Sequence, residues 1–194
     1  MRCSKILQFG NPNLTKVASP LQAIKIKNKE NQKIINNLIK IFNEKTITNI
    51  TAPQLGISRR IIIIRSKLSK NVFKNQYRKE RIRLLTIVNP WIMEKSENKV
   101  YGWEKCCSIN ENKLYAIVPR YEWIKIGGFN KKGKKITITA KGFKARLIQH
   151  SIDHLNGLFF FERMNKKGLK FLSSDEEWYK HQKKLLLKFN ESLS

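Results

Sequence analysis

The chain has 194 residues, room for one domain with a sizeable core and little more. It carries 40 Lys plus Arg against 14 Asp plus Glu, a formal net charge of +26, with 41% apolar residues and only 9 Gly and 5 Pro. That balance excludes a disordered tail, a collagen-like repeat and a membrane-embedded bundle, since no apolar run approaches the roughly 18 residues of a membrane span. The charge favours an anionic partner: nucleic acid, a ribosome or a membrane surface. But 25 Ile and 18 Asn against 6 Ala fit an AT-rich coding sequence equally well, so charge alone names no partner. Met1–Asn11 lacks the apolar stretch and cleavage site of a secretory signal. Three cysteines, two of them adjacent at Cys106 and Cys107, make a poor disulfide framework. A reducing, cytoplasmic setting away from membranes is the expectation.

In chain order, Ile34, Ile35, Leu38, Ile39, Ile41 and Phe42 recur at near-helical spacing and predict a helix over Asn28–Lys45. Thr46–Gly56 has loop chemistry around Pro53 and Gly56. Arg59–Arg65, with four consecutive Ile, predicts a strand buried on both faces. Ser66–Arg83 reads as a long basic surface connection. Leu84–Val88 predicts a second strand that stops at Asn89-Pro90, and further strands are expected over Lys113–Pro119, Tyr121–Ile126 and Lys135–Ala140. Asn130–Gly133 supplies the turn between the last two.

Phe143–Leu155 predicts a helix of a different kind. Phe143, Leu147, His150, Ser151 and His154 share one face, while Ala145, Ile148, Ile152 and Leu155 form an apolar stripe beside it. A helix apolar around so much of its girth belongs inside the domain. The chain closes on a helix expected over Ser174–Leu193, with acids in its first turn and Lys180, Lys183, Lys184 and Lys188 opposite Trp178, Leu185 and Phe189. The pattern predicts one α+β domain over 1–194, its antiparallel strands wrapped around a buried central helix, without internal repeats.

His150 and His154 stand four residues apart on that buried helix, a spacing that lets both imidazoles reach one metal ion. Two core histidines satisfied by hydrogen bonds are the plainer reading of the bare spacing. Cys106 or Cys107 offers a third, thiolate ligand suited to a borderline-soft divalent ion, though buried cysteines without such a role are common.

Gln149-His150-Ser151-Ile152-Asp153-His154-Leu155-Asn156-Gly157 resembles the Q-H-E-x-D-H-L-x-G helix of the peptide deformylases. In matching order, Glu104-Lys105-Cys106-Cys107-Ser108 resembles their E-G-C-L-S segment. Thr51-Ala52-Pro53-Gln54-Leu55-Gly56 is similar to the end of their G-x-G-L-A-A-P-Q-x-G loop. The likeness extends to Asn11–Ala18 and Leu158–Met164. It implies removal of the formyl group from the N-terminal formyl-methionine of nascent proteins, in a bacterial cytoplasm or an organelle matrix. It further implies one divalent metal ion, Fe²⁺ in the family or Zn²⁺ or Ni²⁺ as substitutes, held by Cys106, His150 and His154. Gln54 and the backbone N–H of Cys107 would donate to the developing oxyanion. Asp153 and Arg120 match a supporting charged pair, Glu104 a supporting residue, and the family's C-terminal helix implies docking on the ribosome.

The departures concern proton and peptide. Ser151 stands where the family has its general-base Glu, and a hydroxyl titrates far too high to accept a proton at neutral pH. Ile47 and Asn49 replace two glycines of the first motif, Lys105 replaces the glycine before the metal-binding Cys, and Tyr115 replaces an Arg beside bound substrate. Asn49, Ile50, Lys105 and Tyr115 are therefore the expected substrate-binding positions, altered toward crowding. The metal-holding residues are retained while ordinary deformylase activity is expected to be weak or absent. A slow deformylase working through Gln54 and metal-bound hydroxide, and a ribosome- or RNA-binding platform, are the alternatives.

Overall fold

Four successive isoleucines mark where two layers of the protein meet. In the computed structural model, which describes residues 6–45, 47–65, 84–109 and 114–164 and the backbone of 169–171, Ile61–Arg65 forms strand β2. All four isoleucines are wholly buried. Ile61 and Ile63 pack with Leu38, Phe42 and Ile50 on one face, and Ile62 and Ile64 with Ala145, Ile148 and Ile152 on the other. Side chains alternate across a strand, so an unbroken apolar run is what a strand between two helices requires. The first helix, α1 (Lys29–Glu44), covers one face and the second, α2 (Gly142–Leu155), the other.

Strand β2 lies in a five-stranded antiparallel sheet ordered β1-β2-β3-β6-β7. Its other members are β1 (Asn49–Thr51), β3 (Leu84–Lys95), β6 (Trp123–Phe129) and β7 (Lys135–Lys141). A second sheet orders β4 (Lys99–Lys105), β5 (Leu114–Tyr121) and β8 (Leu169–Phe171) as β4-β5-β8, also antiparallel. From Ala145 to Leu155 every residue of α2 is buried; only its first turn emerges, where Phe143 is exposed. The expected α+β architecture, antiparallel strands around a buried helix, is the one observed.

Three expectations are corrected. The second strand does not stop at Asn89-Pro90 but runs on to Lys95. Asn89 takes a left-handed φ of 49° and its carboxamide pairs with both backbone groups of Leu21, while the register shifts between Val88 and Trp91. A bulge of this kind absorbs the proline's missing donor. Strand β4, absent from the sequence reading, pairs along its full length with β5. The segment read as loop holds β1 and a 3-10 turn, Ala52–Leu55. The basic connection over 66–83 and the C-terminal helix over 174–193 lie outside the described residues. Among the described residues no helix is long and apolar enough to cross a membrane.

Candidate metal centre

Strand β4 ends at Lys105, and the next residue, Cys106, turns its buried thiol toward α2. Its Sγ lies 3.1 Å from His154 Nε2. Ligand atoms of Cys106, His150 and His154 all fall within 4.8 Å of one another, and all three residues are buried. The helical spacing brings the two imidazoles to 4.9 Å between centroids, inclined at 73°. Phe160 stacks on His150 and Phe159 packs edge-on against His154, so the rings have apolar backing. Burial, then the neighbouring His150, holds His154 well below the usual histidine range, which keeps it the neutral donor a metal needs. Its Nδ1 has no hydrogen-bond partner among the described residues. Two imidazoles and a thiol gathered at this distance fit a borderline-soft divalent ion.

Glu104 fixes His150. Its Oε2 accepts from His150 Nδ1 at 2.9 Å and so sets the orientation of the ring. The same carboxylate accepts from Arg120 Nε at 2.8 Å and Nη2 at 2.9 Å, and from Arg146 Nη1 at 2.9 Å. Burial alone would raise its pKa; Arg120 and His150 outweigh it and hold the carboxyl well below the usual range. Arg120 also pairs with Asp153, whose other oxygen accepts from Arg163 at 3.0 Å. Arg120 and Asp153 thus meet beside the histidines.

Arg146 escaped the sequence reading. It precedes His150 by four residues on the same face of α2, and its guanidinium donates to the carbonyls of Val100 at 2.7 Å, Val118 at 2.7 Å and Gly102 at 3.2 Å as well as to Glu104. A Cβ on Gly102 would stand 2.8 Å from the guanidinium carbon, so this glycine makes room for the arginine. The available signal was an i, i+4, i+8 series of Arg146, His150 and His154 on a helix already expected to be buried.

Gln54 is set by a capping box at the 3-10 turn: its Oε1 accepts from Thr51 N at 2.9 Å and Thr51 Oγ1 at 3.2 Å. Its Nε2 is thereby aimed at the Cys loop, donating to Ser108 Oγ at 3.1 Å and Cys107 Sγ at 3.2 Å, with Cys106 Sγ at 3.7 Å. One of the two expected oxyanion donors, the Gln54 amide, is therefore turned onto the Cys107 sulfur. An N-terminal segment braces the two loops, through Leu7 N to Gln54 O, Gln8 Nε2 to Cys107 O and Phe9 N to Ser108 O.

Ser151 is wholly buried; its Oγ donates to Leu147 O at 2.8 Å and accepts from Asn49 Nδ2 at 3.0 Å. The remaining expected substrate positions divide. Asn49 meets α2 through Ser151, and Lys105 Nζ donates to the buried Tyr115 hydroxyl at 3.3 Å. Ile50, by contrast, sends its side chain into the apolar core beside Phe42 and Ile61. A three-residue strand alternates its faces, and Ile50 falls on the inner one.

The profile of the family described as polypeptide deformylase matches residues 3–170. Peptide deformylase of Buchnera aphidicola subsp. Cinara cedri is 34% identical over 165 residues, 85% of this chain and 100% of that protein. Peptide deformylase 1A, chloroplastic/mitochondrial, of Arabidopsis thaliana is 31% identical over 166 residues, 82% of this chain and 61% of the relative. The chain thus spans about three fifths of the length of that plant relative. The Met-Ala-Ser-bound class I type b peptide deformylase from Acinetobacter baumannii superposes with a TM-score of 0.71 at 28% identity, over 82% of this chain and 96% of that one. Matched by the family profile along most of its length and in overall fold by a solved deformylase, the chain belongs to the peptide deformylase family.

Proposed function

We propose that this chain is a metal-binding deformylase-like protein with at most slow activity on formyl-Met peptides. The observation that carries the reading is Ser151. It stands on the ligand face of α2 between His150 and His154, and its hydroxyl is taken up by Leu147 O and Asn49 Nδ2. Neither partner can relay a proton at neutral pH. The carboxylates nearby are committed as well: Glu104 to Arg120, Arg146 and His150, Asp153 to Arg120 and Arg163. Cys106, His150 and His154 would hold one divalent ion, which when bound polarises a carbonyl and acidifies water. Gln54 would orient the formyl oxygen only after releasing the Cys107 sulfur. Asn49, Lys105 and Tyr115 would meet the peptide, and the setting would be a bacterial cytoplasm or organelle matrix. The retention and capping-box orientation of Gln54 favour, as the second reading, a slow but genuine deformylase.

Turnover of formyl-Met-Ala-Ser by metal-loaded protein tests the proposal. A general base contributes about 10²–10⁴-fold, so the rate should fall at least ~10²-fold below that of a Glu-bearing relative. Comparable turnover, with contaminating deformylase excluded, overturns it.

A further inference from the structure

The hairpin of β6 and β7 has two unlike faces. Ile124 and Ile126 of β6, with Ile136 and Ile138 of β7, turn inward and pack with α2. Side chains alternate along a strand, so the residues between them point the other way: Lys125 and Phe129 on β6, and Lys135, Thr137 and Thr139, all exposed, on β7. Trp91 of β3 completes this outer face. It pairs with Gly127, where a Cβ would stand only 2.2 Å from the indole Cζ2 and 2.3 Å from Cε2, so the ring lies across the bare glycine with 39% of the residue still exposed. Its centroid is 6.4 Å from that of Phe129. We propose that this face binds an unpaired RNA strand, its bases stacking on Trp91 and its phosphates held by the lysines of the hairpin and of the turn beside it.

Placement distinguishes these lysines from the chain's general basic excess. The hairpin tip is held by Asn130, whose Oδ1 accepts from Lys132 N at 2.8 Å and Lys134 N at 3.1 Å while its own N–H donates to Lys134 O. Gln32 Nε2 ties that tip to the 3-10 turn Ala23–Lys27, donating to Lys131 O at 2.9 Å and Ile26 O at 2.8 Å. Two turns are thereby fastened together, and exposed Lys25, Lys27, Lys131, Lys132 and Lys134 project from them. None of these forms an ion pair with a described residue, whereas Lys125 is neutralised by Glu94 at 2.7 Å. Like charges held side by side repel, and an anionic strand relieves that repulsion. The aromatic ring selects among anions. Any aliphatic side chain could cover Gly127, but an indole supported on one side and free on the other offers a π-face that takes any base. A duplex keeps its bases stacked on one another, so the ligand is single-stranded. Thr137, level with Gly127 in the register, and Thr139 set exposed hydroxyls beside the ring, partners for the ribose 2′-OH that deoxyribose lacks. The face lies across the sheet from α2 and shares no residue with the metal centre, so it serves RNA whatever the chain catalyses.

Fluorescence anisotropy of short labelled strands with the full-length chain tests this. Stacking is worth about 5- to 150-fold per base, so oligouridylate should bind at least ~10-fold more tightly than an abasic strand of equal length and charge. It should also bind more tightly than oligodeoxyuridylate. Trp91→Leu, which still covers Gly127, should lose the advantage over the abasic strand, and Trp91→Phe should restore part of it. Lys131→Gln, Lys132→Gln and Lys134→Gln together should lower the slope of log affinity against log salt by about 2, at ~0.7 per phosphate contact. Equal affinity for the uridylate and abasic strands, a comparison that needs no variant, overturns the inference. Uridylate binding that is unchanged in both Trp91→Leu and the triple lysine variant overturns it too, by placing the strand elsewhere on the chain. Deoxyuridylate bound as tightly as uridylate overturns the assignment to RNA. Attachment to vesicles of anionic phospholipid without uridylate binding makes the face a membrane contact and overturns the inference.

Discussion

The guanidinium of Arg146 and the missing side chain of Gly102 form one device, and a double-mutant cycle exposes it. Arg146 is pinned by three backbone carbonyls and the Glu104 carboxylate, at 2.7 to 3.2 Å. Replacing it by Met leaves a buried carboxylate short of one partner and three carbonyls without their donor, a loss of about 3–5 kcal/mol. Gly102→Ala acts from the other side. Its Cβ would sit 2.8 Å from Arg146 Cζ and Nη2 and 3.0 Å from Nε, so the guanidinium must retreat from some of its acceptors. Overpacking with partial loss of a charged hydrogen bond costs about 2 kcal/mol. In the Arg146→Met background the obstruction is gone, and alanine in a strand is then neutral or favourable by about 0.5 kcal/mol. Urea unfolding of the metal-free protein and its three variants should therefore give a coupling of about 2 kcal/mol. Because Glu104 orients His150, Arg146→Met should also weaken Co²⁺ binding by about 10-fold or more. An equal cost for Gly102→Ala in both backgrounds would refute the reasoning.

Two further outcomes follow from the site. Ser151→Glu alone should lose about 1–3 kcal/mol of stability, because the position is fully enclosed and faces Asn49; combining it with Asn49→Gly should recover most of that and raise formyl-Met-Ala-Ser turnover above either single variant, and a double variant no faster than Ser151→Glu places the obstruction elsewhere. Acidification should destabilise the metal-free protein in two stages: the unfolded chain protonates His154 near pH 6.5 whereas the folded one does so only well below. Stability contributed by the neutral form is thus present above that value and falls by up to about 1.4 kcal/mol per pH unit beneath it. Glu104, held ionised in the fold, adds a second loss below about pH 4.3, where the unfolded carboxyl protonates. Chemical denaturation at stepped pH checks both, with His154→Leu expected to abolish the upper stage; a flat profile between pH 7 and 5.5 contradicts it.

What the sequence made legible is what periodicity records. The helix from Gly142 to Leu155 announces itself because apolar residues occupy nearly its whole circumference, and the ligand histidines share a face by the 3.6-residue repeat. Strand β2 is equally plain, four isoleucines alternating between two helices. Strand β4 is hidden because Glu104, a buried acid, and Gly102, an empty position, break the alternation that would reveal it. Both exceptions have one cause, the guanidinium of Arg146, which reads as a surface residue until its acceptors are seen. The continuation of β3 through Asn89-Pro90 is hidden likewise, since its rationale is a hydrogen-bonded pair with Leu21, distant in sequence.

That distribution bears on how the centre should be read. Glu104, Arg120, Arg146, His150 and Asp153 form one connected buried network, and removing any charged member strands another in a water-poor environment at about 3–5 kcal/mol. Folding alone therefore retains the frame that holds His150 and presents Cys106, whatever the protein catalyses. Ser151 belongs to no such network: its neutral hydroxyl is satisfied by Leu147 O and Asn49, so a serine there leaves no orphaned charge. A Cys-His-His cluster in this fold is thus a statement about stability as much as chemistry. The positions that report on activity are those outside the charged network, and in this chain Asn49, Cys107 and Ser151 all carry side chains that tie up the site's polar groups among themselves.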